Sequence, residues 1–275
     1  MAVSIYTSGF NLLVNHFDYK DAIKNFSLFA DEVVIAVNSS QDDTYGALDS
    51  LRNTYGNLKL VECDVPYDDP LLDGKIKDIA LQATTSDVKI GLDMDERIPL
   101  RHKDRWLGLA MQLDFLPEDC VMIPSLNLWG SYGTIKNDLS ENLKSYKWYL
   151  HGPNLRRGPV NFARRPNGTI DTSRSDSCEL IYPNGDLVHY RTLNAIGVSS
   201  IHEFLDYIEN QITFVYHLGY ANFQNRVDRN KSFWYNHWRT ESGGEAPQHQ
   251  VHMDISEFKG ETIPHNLPHW NEGTD

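Results

Sequence analysis

Cysteine is scarce in this chain: Cys63, Cys120 and Cys178 are odd in number, far apart and without a Cys-x-x-Cys spacing. They give no sign of a disulfide framework and read as reduced thiols. No apolar run reaches the roughly 18 residues that a membrane span needs. The N-terminus also lacks a basic segment followed by an apolar signal core, so the expected compartment is the cytoplasm. Positive charge is in deficit, because 25 Lys and Arg against 38 Asp and Glu leave a net charge of -13. That argues against a nucleic-acid or anionic-membrane surface, which needs patches of lysine and arginine. A small phosphate ligand stays compatible, held by local cations, a metal or backbone N–H groups. There is no internal repeat and no clean linker.

What is present is organised around Val88 to Glu96, Val-Lys-Ile-Gly-Leu-Asp-Met-Asp-Glu. Val88, Ile90 and Leu92 alternate with Lys89 and Gly91 at the period of a strand, and the run ends in Asp93, Asp95 and Glu96. Residues two apart on a strand project to one face, so Asp93 and Asp95 are placed to point together at one cation or one diphosphate. The alternative is a strand end capped by solvated acids.

The segments before it repeat a pattern. Val3 to Ser8 is a strand opening into Gly9, and Tyr19 to Ala30 has helical spacing. Val33 to Val37 is a strand followed by Asn38 and Ser39, then a helical stretch to about Tyr55. Leu58 to Val61 is a third strand, closed by Asp64, and Asp73 to Ala83 is a helix leading into Val88. Apolar strands that alternate with helices predict a mostly parallel sheet covered on both faces. Ligands of such sheets bind beyond the carboxyl ends of the strands. Here every one of those ends is polar or small.

Lys103 to Phe115 reads as a helix and Cys120 to Leu128 as a strand. Trp129 to Pro166 has no sustained period and predicts a long excursion over the sheet. Phe162 to Ile170 and Leu180 to Tyr190 read as strands beside Pro-Asn-Gly turns, Ile201 to Gln211 as a helix, and Phe214 to His217 ends in Leu218-Gly219. Asn230 to Arg239 is an aromatic, basic helix candidate. The expected organisation is one domain over residues 1–240, with halves 1–125 and 126–240, and a tail over 241–275, either loose or draped over the domain.

Thr7-Ser8-Gly9 after the first strand, Asn38-Ser39-Ser40 after the second, Gly74-Lys75 opening the helix before the acidic strand, and Asp93-Met94-Asp95-Glu96 together resemble glycosyltransferases of the GT-A fold, most closely the family 2 type. Val-Tyr-His-Leu-Gly-Tyr around His217 is similar to a later element of that family. The resemblance covers roughly residues 3–125 and this patch. It implies an α/β, GT-A (nucleotide-diphospho-sugar transferase) fold: a mostly parallel central sheet with helices on both faces and a small antiparallel extension on the acceptor side. It also implies transfer of a hexose from a UDP- or GDP-linked nucleotide-sugar donor to a glycan hydroxyl, with Mn²⁺ or Mg²⁺ on the diphosphate. Thr7, Ser8, Gly9, Asn38, Lys75 and Asp93 would then contact the donor, and Asp93, Asp95 and His217 the metal. Two positions depart from the family: Asn38 stands where an acid is common, and Lys77 and Asp78 lie where an Arg-Asn pair is.

The chemistry suits these residue types. A departing diphosphate accumulates negative charge that a divalent cation neutralises, and carboxylate oxygens with one imidazole suit such ions. His217 has an alternative as a hydrogen-bonded core histidine, and Lys75 as a solvated helix-start lysine. An inverting transfer needs a general base, for which Asp176 is the first candidate, with Glu179 and Asp171 beside it in sequence. Trp129, Tyr132, Trp148 and Tyr149 are candidates for stacking on sugar rings, and Arg156, Arg157, Arg164 and Arg165 for phosphate. Ordinary packing and solvation compete for each. His249, His252, His265 and His269 lack cysteine partners and zinc spacing, so they belong to the tail. Two other functions compete, a sugar-phosphate nucleotidyltransferase and a non-catalytic glycan-binding protein.

Overall fold

Apolar residues on both faces of the first strands let the sheet be covered twice. In β1 (Val3–Gly9), Val3 and Ile5 join one core cluster and Tyr6 another. In β2 (Glu32–Asn38), Val33, Ile35 and Val37 face the first cluster and Val34 and Ala36 the second. Helix α1 (Tyr19–Phe29) fills the first with Ala22, Ile23 and Phe26. After α2 (Thr44–Asp49) and β3 (Leu58–Cys63), helix α3 (Leu72–Gln82) fills the second with Ile76 and Ala80. This is the period-2 split of a strand between two helical layers.

The structure, a computed structural model, describes residues 1–69, 71–113, 119–143, 145–158, 163–164, 170–171, 179–184, 188–234 and 253–272. Strand β4 (Val88–Gly91) pairs in parallel with β1, which pairs with β2, which pairs with β3. Two-residue β5 (Glu96–Arg97) and α4 (Lys103–Leu113) lead to the long β6 (Cys120–Trp129). Then come β7 (Thr134–Lys136), α5 (Leu139–Asn142), β8 (Tyr146–His151) and β9 (Arg156–Gly158). The short pair β10 (Ala163–Arg164) and β11 (Ile170–Asp171) follows, then β12 (Glu179–Ile181) and β13 (Tyr190–Thr192). Helix α6 (Ile201–Asn210), strand β14 (Val215–Tyr220), helix α7 (Phe223–Arg229) and β15 (Thr262–Pro264) complete the order. The main path of the sheet is β15-β7-β6-β8-β4-β1-β2-β3. The protein is therefore a mixed α/β molecule with a mostly parallel curled sheet, antiparallel where β8, β7 and β15 join it. No helix among the described residues is long and apolar enough to cross a membrane.

Three expectations change. The irregular excursion after Trp129 contains β8, a full strand between β4 and β6. The helix expected to run to Tyr55 ends at Asp49 and continues as turns bonded from Leu51 N to Leu48 O and from Arg52 N to Asp49 O. Leu180 to Tyr190 is not one strand: β12 pairs with β9, whereas β13 pairs with β6. Of the helix candidate from Asn230, residues Asn230–Trp234 form a π-helical turn and the remainder lies outside the described residues.

Residues 253–272 are draped over the domain. β15 extends the sheet beside β7, and Trp270 is 4% exposed. Its Nε1 donates to Asp21 Oδ2 at 2.8 Å, and Asn271 Nδ2 donates to Asp21 Oδ1 at 3.0 Å. His265 accompanies this strap, its Nε2 2.9 Å from Tyr132 O, and His269 lies against the Trp270 ring. His249 and His252 lie outside the described residues.

Candidate functional site

Strand β4 stops at Gly91, so Asp93 and Asp95 stand in the turn beyond the strand and not on its face, and Glu96 opens β5. Glu96 closes that turn: it is 1% exposed, its carboxylate accepts from Asp93 N at 2.8 Å, and its own N–H donates to Asp93 O at 3.0 Å. Arg97 holds the turn from behind. Fully buried, it donates to Met94 O at 3.0 Å, Glu96 O at 2.7 Å and Asp18 O at 2.7 Å, and pairs with Asp21 at 2.8 Å. Burial pushes the Asp21 carboxyl up, but the donors Arg97, Trp270 and Asn271 outweigh it and hold its pKa below the usual carboxylate value.

β14 brings the distant histidine to this turn. It runs antiparallel to β5 with His217 opposite Glu96, and Leu218 N donates to Asp95 O at 2.7 Å. His217 Nε2 then lies 3.8 Å from Asp95 Oδ2. His217 Nδ1 is 2.6 Å from Asn127 Oδ1 on β6, and Asn127 Nδ2 donates to Ser145 Oγ at 3.0 Å. An amide oxygen accepts, so in this pairing Nδ1 is the donor and Nε2 is the ring nitrogen turned toward Asp95. Gly219 leaves room between them: a Cβ there would come within 2.7 Å of His217 Nε2 and 3.0 Å of Asp95 Oδ2.

Two buried cations complete the cluster. Lys77 on α3, 9% exposed, reaches Asp93 Oδ1 at 2.5 Å and Asp73 Oδ2 at 2.9 Å. Arg229, at the end of α7, reaches Asp95 Oδ2 at 3.4 Å and Gly219 O at 2.9 Å, over the Phe17 ring. Burial lowers the Arg229 pKa, an effect that Asp95 partly offsets.

The structure therefore brings Asp95 and His217 together and turns Asp93 to Lys77. Among the described residues no group of three His, Cys, Asp or Glu side chains is placed to hold a metal ion. Of the expected trio, Asp93 has its Oδ1 in an ion pair with Lys77. The gap at Gly219, bounded by a carboxylate oxygen and an imidazole nitrogen, does fit a divalent ion that draws its other ligands from phosphate and water.

The other expected donor contacts have mixed positions. Thr7 is buried near the end of β1, with its hydroxyl lacking a hydrogen-bond partner among the described residues. Ser8 Oγ donates to Asp73 at 3.4 Å. Gly9 packs inward, where a Cβ would meet Ile35 and Leu48 at 3.1 Å. Asn38 clamps the loop after β3, donating to Val65 O at 3.0 Å and accepting from Val65 N at 2.6 Å. Lys75 is half-exposed and pairs with Asp69.

Asp176 and Arg165 lie outside the described residues, and Glu179 is described only as backbone in β12, opposite Gly158 of β9. For Asp171, Arg164, Trp148 and Tyr149 the backbone alone is described. Trp129 is packed, not open: Tyr220, Phe223 and Phe258 surround it at 5.1–5.8 Å between ring centroids. Tyr132 is exposed, with its ring edge-on to Trp270. Arg156 pairs with Asp78, and Arg157 donates to Tyr6 Oη at 2.8 Å above Gly91. Sequence reasoning missed Asn127, Gly219 and Arg229 altogether.

No protein-family model and no curated protein matches the chain. Among solved structures it is similar to residues 1–349 of S. aureus TarS in complex with UDP-GlcNAc, at 14% identity and a TM-score of 0.40, over 87% of this chain and 74% of that one. For S. aureus TarS itself the identity is 14% and the TM-score 0.40, over 85% of this chain and 44% of that one. It is also similar to glucosyl-3-phosphoglycerate synthase from Mycobacterium tuberculosis, in complex with Mn²⁺, UDP and glucosyl-3-phosphoglycerate, at 16% identity and a TM-score of 0.26, over 47% of this chain and 45% of that one.

Proposed function

We propose that the protein is a glycosyltransferase of GT-A type that moves a sugar from a nucleotide-sugar donor to a glycan hydroxyl and uses a divalent cation. The observation that carries this is the gap at Gly219 between Asp95 Oδ2 and Nε2 of His217, beyond the carboxyl end of β4. A cation there would supply positive charge toward a departing diphosphate. The chain's own part is to hold the two ligands. Arg97 and Glu96 fix the turn that bears Asp95, and Asn127 holds the histidine by its Nδ1. Lys77 and Arg229 add two charges that favour an anionic leaving group.

Asp93 is assigned to the donor side of the site, as a contact to the ribose or sugar. Thr7 and Ser8 border the same strand end. Asp176 or Glu179 is proposed as proton acceptor for the glycan hydroxyl. For Glu179 the support is its place beside β9, whose Arg157 lies above Gly91.

A thermal-shift panel of UDP-, GDP- and dTDP-sugars with and without Mn²⁺ tests this function, since a ligand of the native state raises its melting temperature. At least one donor should stabilise the protein only with Mn²⁺, and Asp95→Asn should remove the shift. If no donor shifts the wild-type protein and none is hydrolysed, the proposal fails.

A further inference from the structure

Each aspartate of the acidic turn already holds a cation from the protein itself. Lys77 Nζ occupies Asp93 Oδ1 at 2.5 Å, and Arg229 Nη1 lies 3.4 Å from Asp95 Oδ2, the oxygen nearest His217. These are not surface pairs, since the side chains of Lys77 and Arg229 are 11% and 6% exposed. A bare divalent ion entering at Gly219 would compete with Arg229 for the same oxygen. It would also meet two fixed positive charges where water screens them poorly.

A diphosphate reverses that balance. Its anionic oxygens offer new partners to an ammonium and a guanidinium, and arginine suits phosphate through its planar set of donors. The Nε of Arg229 is buried without a hydrogen-bond partner among the described residues.

We propose that Lys77 and Arg229 are internal counter-cations that keep a bare divalent ion out of the acidic turn, and that they turn from Asp93 and Asp95 to the phosphates, freeing Asp95 for the ion, only when the ion arrives with a nucleoside diphosphate. This rests on the proposed reading of Asp95 and His217 as metal ligands. It makes the two basic residues positioning residues for the order of binding.

The test is calorimetric titration of the full chain with MnCl₂ alone and with MnCl₂ in saturating UDP or GDP, corrected for Mn²⁺ held by the nucleotide in solution. The wild-type protein should bind Mn²⁺ at least tenfold more tightly with one of the diphosphates than without. Arg229→Met and Lys77→Met should each tighten binding of Mn²⁺ alone at least threefold and shrink the gain from diphosphate. Arg229→Lys and Lys77→Arg, which keep the charge, should retain most of the wild-type gain; they also carry the test should a methionine variant fail to fold by circular dichroism. Equal affinity for Mn²⁺ with and without diphosphate, abolished by Asp95→Asn, would overturn the proposal and leave the metal site standing. So would methionine variants that fold and bind Mn²⁺ alone no better than wild type. Absence of any Mn²⁺-dependent binding of UDP or GDP would instead remove the metal site, and the proposal with it.

Discussion

His217 and Asn127 are paired positions on the parallel strands β14 and β6, and their side chains meet with Nδ1 2.6 Å from Oδ1. The amide acts on the histidine from the side away from Asp95. Replacing Asn127 with Leu removes the acceptor that holds Nδ1. Loss of such a partner typically weakens a metal site about 10–100-fold. Calorimetry with Mn²⁺ and the best nucleotide should show that loss, with a melting temperature close to wild type.

Gly219→Ala should be a more selective lesion. The backbone there is in an ordinary conformation, so alanine is not strained by its φ, but the new methyl would stand 2.7 Å from His217 Nε2. The expected result is loss of the Mn²⁺-dependent thermal shift in a protein that still unfolds cooperatively. A variant that binds Mn²⁺ and nucleotide normally would show that the gap is not the seat of the ion.

Arg97→Met tests the support of the turn. Removing one partner of a buried ion pair commonly costs about 3–5 kcal/mol. Here Met94 O, Glu96 O and Asp18 O lose their donor as well. Urea unfolding should report a loss of that size, far above the cost of breaking the exposed Arg52–Asp49 pair.

Acid should destabilise the fold through His151. Burial, reinforced by the nearby Arg157 charge, pushes its pKa from 6.5 down to about 3, so the folded protein keeps the ring neutral. In the unfolded chain the ring takes up a proton below about 6.5. The stabilisation is therefore complete above pH 6.5 and is lost as pH falls toward 3, at up to about 1.4 kcal/mol per pH unit. The partners are Tyr6 Oη at 3.0 Å from Nε2 and Gly152 O at 2.8 Å from Nδ1. Unfolding free energy measured from pH 7 to 4 should show this slope, flattened in His151→Gln.

The order β1 to β4 is legible in the sequence because short β-rich runs alternate with stretches of helical period. The acidic turn is legible as a site because topology and residue type point to one place. β8 is not, since Tyr-Lys-Trp-Tyr-Leu-His lacks alternation and acquires its role only by pairing with β4 and β6. Arg229 reaches Asp95 across 134 residues and Asn127 reaches His217 across 90, contacts that no local pattern encodes. Gly219 carried the one available signal: a glycine inside a buried strand beside a candidate ligand marks a close approach. The opposed fates of Lys75 and Lys77, two residues apart on α3, depend on which side of the helix meets the sheet.

Asp21 joins three distant parts of the chain, since one carboxylate takes Arg97 together with Trp270 and Asn271. Contacts this far apart in sequence form slowly and late, because the loop they close must lose its freedom first. Until Trp270 and Asn271 dock, Asp21 is held by Arg97 alone, so residues 253–272 act as a late brace on a support that the acidic turn already has.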